Sequence, residues 1–132
     1  MPIQAVWDNE EHTIIRYIIE GHWTWDEMNA AVAISNAWLD MADRKIDFIH
    51  DMSRSEGIPP GSLTQLKRYI GKEHSNTGRS VVVGAQKSIA NSFARGLLDM
   101  VQKLYKRDWG FIFAGSLEEA RQRLYETQPH DG

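Results

Sequence analysis

The chain contains no cysteine, which excludes disulfide frameworks, thiolate zinc sites, iron–sulfur clusters and a cysteine nucleophile. It has no apolar run long enough to span a bilayer, so an integral membrane protein is not expected. It has no surplus of positive charge either. The 15 basic residues are outnumbered by 18 acidic ones, for a formal net charge of −3, which argues against a protein built to grip phosphate backbones. No nucleic-acid partner is therefore expected. The start, Met1-Pro2-Ile3-Gln4-Ala5-Val6-Trp7-Asp8, lacks the basic region and hydrophobic run of a secretory signal, so the expected compartment is the cytoplasm. What is present fits one globular domain: 132 residues, 42% hydrophobic and 25% charged, suffice for a single core. Residues 1–132 read as one domain whose last residues, 128–132, fray. The five tryptophans are many for this length.

Along the chain, residues 3–7 read as a short strand, Asp8-Asn9-Glu10-Glu11 as a polar turn, and residues 12–20 as a strand rich in β-branched and aromatic side chains. The short turn makes these two an antiparallel hairpin. Ile15, Tyr17 and Ile19 share one face; Ile14, Arg16, Ile18 and Glu20 share the other, whose mixed character predicts a partly wet side. Gly21 breaks the strand, and Thr24-Trp25-Asp26-Glu27 is a capping box opening a helix that runs to about Met41. Its inward stripe is Met28, Val32, Ser35 and Leu39, widened by Ala31, Ile34 and Trp38.

Residues 45–52 read as a third strand, followed by a long loop from Ser53 to Gly61 that holds Pro59-Pro60. Ser62-Leu63-Thr64-Gln65 caps a second helix with Leu63, Leu66 and Ile70 on one face. Residues 79–84 read as a strand whose three valines predict burial on both faces. A long helix is expected over 88–106, a last strand over 110–114, and a final helix capped by Ser116-Leu117-Glu118-Glu119, with Leu117, Ala120 and Leu124 inward. The predicted fold is α/β, a mostly parallel five-stranded sheet with an antiparallel first strand, in the order ββαβαβαβα.

This order and three local sequences resemble the STAS superfamily, which includes sulfate transporter domains and anti-sigma factor antagonists. The three are Ile49-His50-Asp51-Met52-Ser53 at the end of the third strand, Val81-Val82-Val83-Gly84 before the long helix, and Phe111-Ile112-Phe113-Ala114-Gly115-Ser116-Leu117-Glu118-Glu119-Ala120 at the closing strand. The resemblance implies a STAS-like βα superhelix and a bacterial regulatory domain. In the antagonists, a serine directly after the strand-ending aspartate takes phosphate from a partner kinase. Here Asp51 fits, Met52 stands where the serine is expected, Ser53 is displaced by one, and Arg54 to Gly61 is inserted before the helix. A one-residue shift turns a side chain to the other face of an extended segment. Related STAS-like folds bind lipids or other apolar ligands.

Asp51, Ser53 and Ser55 sit at the carboxyl end of a parallel strand, the rim where open α/β sheets bind ligands; the competing reading is that Asp51 and Ser53 satisfy loop amides locally. Trp23, Trp25 and Trp38 gather around the first helix, as core filling or as an apolar pocket or dimer face. The aromatic content, beyond what one small core needs, points to a homodimer. The five histidines show no ligand spacing, so no metal site is expected; His50 and Asp51 point to opposite faces. Gly84-Ala85-Gln86-Lys87-Ser88 lacks the upstream glycine of a phosphate loop, and no nucleophile elbow is present. Lys67, Arg68, Lys72, Lys103, Lys106 and Arg107 read as solvated helix ends. Two readings follow, with no cofactor and no catalytic residue in either. The first is a non-enzymatic regulatory module that binds a protein partner, such as a kinase-type anti-sigma factor, through the loop after the third strand, with Ser53 the candidate phosphoacceptor. The second is a binding module for an apolar or lipid-like small molecule beside Trp25. An enzyme would need a nucleophile, base and orienter in register.

Overall fold

A computed structural model of the chain describes residues 2–57, 59, 61, 64–65, 74–84 and 111–126. Its elements are β1 (Ile3–Trp7), β2 (Ile14–Gly21), α1 (Trp25–Asp40), β3 (Ile46–Ser55), β4 (Thr77–Val83), β5 (Phe111–Ala114) and α2 (Leu117–Glu126). They form one mixed α/β sheet in the sequential order β1-β2-β3-β4-β5. β1 pairs antiparallel with β2; the later pairs are parallel. The helix expected over 88–106 lies outside the described residues. So do the basic side chains of Lys67, Arg68, Lys72, Lys103, Lys106 and Arg107, together with Trp109 and the tail. Of the helix expected after Gly61, only Thr64 and Gln65 are described, in a helical turn.

The hairpin turn is longer than the sequence reading allows. Asn9 Oδ1 accepts the N–H groups of Thr13 (3.0 Å) and Ile14 (3.3 Å). This draws residues 12 and 13 into the turn, so β2 starts at Ile14 and not at His12. α1 keeps its capping box: Thr24 Oγ1 accepts from Glu27 N–H (3.2 Å), and Thr24 N–H donates to Glu27 Oε1 (2.9 Å).

Residues alternate between two sheet faces, and pairing partners share a face. On one face, Ile3, Ile15, Tyr17, Ile19, Ile46 and Phe48 pack against Met28, Ala31 and Leu39 of α1. Ser35 lies in that buried stripe and is satisfied: its hydroxyl donates to Val32 C=O (2.9 Å) and accepts from Tyr17 OH (2.5 Å). Ile34 does not join the stripe; it is 47% exposed on the flank of the helix. On the other face, Ile14, Ile49, Val81, Val83 and Ala114 pack against Ala120 and Leu124 of α2. The second face of β2 is therefore partly core at Ile14. Of the three valines expected to be buried, Val81 and Val83 are, and Val82 is half-buried.

Two ion pairs, Asp47–Arg79 and Asp8–Arg121, tie α2 to the sheet and its first hairpin. The buried Asp47 accepts from Arg79 N–H (2.7 Å) and from its guanidinium (3.3 Å), and Arg79 Nη2 also donates to Leu124 C=O (2.7 Å). Asp8 receives both Nε and Nη2 of Arg121 at 2.8 Å.

Candidate functional site at the end of β3

β3 does not stop at Met52; it continues through Ser55, so Ser53 and Ser55 lie on the strand and the loop begins after them. The extension exists because β2 still offers pairing groups there: Glu20 pairs with Arg54 and Gly21 with Ser55. Between the pairs Ile18–Asp51 and Glu20–Arg54 the register slips. One residue of β2 faces two of β3, which is a β-bulge at Met52-Ser53. Met52 turns inward and packs against the α1-side core. Ser53 is the extra residue, exposed at the rim. The bulge absorbs a one-residue displacement that would otherwise reverse the facing of everything after it.

Asp51 holds Ser53. Its Oδ1 accepts the Ser53 hydroxyl at 2.6 Å and the Ser53 N–H at 3.1 Å. The 2.6 Å distance is that of a charge-assisted O–H···O bond, and it fixes the hydroxyl rotor. Behind Ser53 stands Gly84, with φ +72°. A Cβ at Gly84 would meet Ser53 Cα at 2.5 Å and Ser53 N at 2.8 Å, so the bulge fits only against a residue without a side chain. Gly84 N–H donates to Ala114 C=O (3.2 Å), which ties this contact to β5. Glu20 and Arg54 pair at 3.6 Å alongside.

Ser55 has a different job. Its hydroxyl donates to Gly57 C=O (2.9 Å) and accepts from Trp23 Nε1 (2.9 Å), which also reaches Gly57 C=O (3.2 Å). Trp25 Nε1 donates to Pro59 C=O (3.4 Å), and the two indoles meet edge to face at 4.9 Å. Glu56 N–H donates to Gly21 C=O (2.9 Å), and His22 pairs with Glu56 (2.8 Å). Trp23 and Trp25 thus serve as anchors that pin the loop. Of the four residues singled out from sequence, Asp51 and Ser53 come together, while Ser55 and Trp25 join the neighbouring loop clamp.

His50 points to the opposite face from Asp51, as alternation requires. It lies beside Tyr17 (5.2 Å) and Phe48 (6.4 Å). Burial among these groups pushes its pKa down to about 4, so at neutral pH it is uncharged. Among the described residues, no three His, Asp or Glu side chains converge as a metal site would require. None of their helices is long and apolar enough to cross a membrane. No protein-family profile matches the chain, and no curated protein matches it.

Sequence reasoning missed Gly84 and Trp23 as parts of this rim. Gly84 was legible as the end of a valine strand and the start of an incomplete phosphate loop, not as a partner of Ser53. The register slip that brings it against Ser53 leaves no mark in the composition of either strand.

Proposed function

We propose that the protein is a non-enzymatic regulatory domain of STAS-like architecture that docks a protein partner at the end of β3, with Ser53 as the phosphoacceptor. The observation that carries this reading is the exposed Ser53 hydroxyl, set out on a bulge and held by Asp51 Oδ1 at 2.6 Å. Bulges next to functional sites re-aim a side chain, and this one supplies the shift that the displaced serine needs. The complete order ββαβαβαβα, with four helices, belongs to the same proposal, as does a cytoplasmic location.

The chemistry of such a switch is simple. A partner kinase would transfer the γ-phosphoryl group of ATP to Ser53 Oγ, the hydroxyl proton passing to a base and ADP leaving. Asp51 orients the oxygen before transfer. Afterwards the serine oxygen has no proton to donate, and a phosphate of roughly −2 charge lies against a carboxylate. The Asp51–Ser53 clasp must open, which changes the shape of the rim a partner reads.

The alternative, a module for an apolar or lipid-like molecule beside Trp25, draws less support. The indole N–H groups of Trp23 and Trp25 are already engaged by Ser55, Gly57 and Pro59. The proposal is tested by calorimetric titration of a kinase-type anti-sigma factor with wild-type protein, Ser53→Ala and Ser53→Glu. Binding by the wild type and Ser53→Ala, with loss in Ser53→Glu, is expected. Equal binding by all three, or none by the wild type, contradicts it.

A further inference from the structure

Between the hairpin turn and the C-terminal end of α1 lies an open groove of about 430 Å³, a volume in the range of small-molecule sites. Its wall is a column of rings. His12 lies flat on Trp7, with ring centroids 4.4 Å apart and 3° between the planes, and Trp7 stacks on Trp38 at 5.2 Å. Met41, which is 87% exposed, Ala42 and the buried Ile46 supply the apolar lining. Ile46 opens β3 and Ser53 lies near its end. The groove and the rim of Ser53 are therefore about 23 Å of strand apart.

The groove is built in advance. Asn76 Nδ2 donates to Leu39 C=O (3.0 Å) and Ala42 C=O (3.1 Å), and Asn76 C=O accepts Ile46 N–H (2.7 Å). These bonds fix the end of α1 against the start of β3. On the hairpin side, Asn9 C=O accepts His12 N–H (3.2 Å). His12 takes φ +56°, the one positive φ among the described residues other than glycine. That conformation costs a side chain about 1 kcal/mol or more, and it sets the imidazole against Trp7. Strained residues held by their surroundings gather at ligand sites, and a wall fixed beforehand loses little freedom when it is occupied.

The charged side chains at the groove are Glu11, Asp43 and Arg44. Arg44 sits 3.6 Å from Asp43 and offsets it, so Glu11 is the charge in excess. Indole faces attract cations through their quadrupole, and methionine sulfur is polarizable. The ring column and the surplus carboxylate thus select a ligand of the same sign. An anion would meet two carboxylates. The same repulsion disfavours a choline lipid headgroup, whose phosphate would lie beside Glu11 and Asp43.

We infer that this groove binds a free small organic cation of the quaternary-ammonium class, its charge toward Glu11 and the ring column and its methyl groups against Met41 and Ala42. The test is a titration of the full chain with choline, read from the indole N–H signals in proton–nitrogen NMR spectra, with sodium chloride holding the ionic strength constant. The signals of Trp7 and Trp38 should move saturably. Those of Trp23 and Trp25, held by the loop at the other end of α1, should stay in place. The neutral analogue in which tert-butyl replaces trimethylammonium should bind at least about 5-fold more weakly. Glu11→Gln should weaken choline binding about 5-fold, the effect of one charge at contact distance in water. His12→Gly suits the left-handed turn and removes a ring, and should weaken it about 3-fold. Glu118→Gln, an exposed carboxylate on α2, should leave it unchanged, and far-ultraviolet circular dichroism should show every variant folded. Phosphatidylcholine vesicles should move neither signal. Choline and its neutral analogue binding equally, Glu11→Gln binding as the wild type does, the absence of a saturable shift, or a shift by vesicles where free choline gives none would each overturn the inference.

Discussion

Asp8 and Arg121, 113 positions apart, form a two-pronged ion pair with both N···O distances at 2.8 Å. Asp8 leaves the first strand and Arg121 sits in the last helix, so this pair staples α2 to the hairpin at the opposite end of the chain. Arg16 approaches the same carboxylate at 3.3 Å, and the Asp8 side chain is 1% exposed. Asp8→Ala leaves two guanidinium groups without their anion. It should cost ~2–4 kcal/mol in urea unfolding, below the full penalty of a buried pair because the Arg121 side chain reaches solvent. Arg121→Ala leaves Asp8 with Arg16 and should cost about half as much. Equal losses for the two variants would contradict this account of the carboxylate as the hub.

Gly84 faces two separate demands, a left-handed backbone at φ +72° and a gap too small for a Cβ beside Ser53. Gly57 faces only the first, with φ +92° and no atom within 4 Å of an added Cβ. Gly57→Ala should therefore cost ~1 kcal/mol, the backbone term alone. Gly84→Ala should cost at least ~1–2 kcal/mol more, because backbone atoms of Ser53 must move. Denaturant midpoints of the two variants measure the difference.

His50 sets a pH dependence. Its pKa falls from 6.5 to about 4 on folding through burial, so between these values the unfolded chain binds more protons than the folded one. Stability then rises with pH across that window. The contribution is fully present above about pH 6.5 and is lost progressively as pH falls toward 4, by up to ~3 kcal/mol. In His50→Phe, unfolding midpoints between pH 4 and 7 should vary less than in the wild type. A proton resonance of the His50 ring titrating near 6.5 in the folded protein would refute the prediction.

Trp23→Phe keeps an aromatic ring and removes the indole N–H shared by Ser55 Oγ and Gly57 C=O. The expected cost is ~1 kcal/mol, confined to the loop after β3. Amide exchange at Glu56 and Gly57 should quicken, while exchange at Ile15 and Ile49 stays slow.

How much of this was legible beforehand follows from the range of each interaction. Capping boxes are local, so Thr24 and Glu27 marked the start of α1 directly. Alternation is local too, and it assigned Ile15, Tyr17 and Ile19 to one face and set His50 opposite Asp51. Strand ends were less legible, because they depend on what a neighbouring strand still offers. β3 reaches Ser55 only because Glu20 and Gly21 remain to be paired. Ile34 read as core by periodicity, yet the stripe ends one flank short of it. Asp51 and Ser53 could be named as a rim pair, but the bulge and the Gly84 contact that shape the pair join segments distant in sequence. Ser55 and Trp25 drew attention for the right chemistry and turned out to be engaged with the loop.

The most direct measurement is site-mapped phosphate on the full chain after incubation with ATP and a kinase-type anti-sigma factor that phosphorylates a control antagonist in the same tube. The account predicts one phosphate per chain on Ser53, absent in Ser53→Ala and slowed in Asp51→Ala, where the hydroxyl loses its acceptor. A fully modified control beside an unmodified Ser53, or phosphate uptake unchanged in Ser53→Ala, would contradict it.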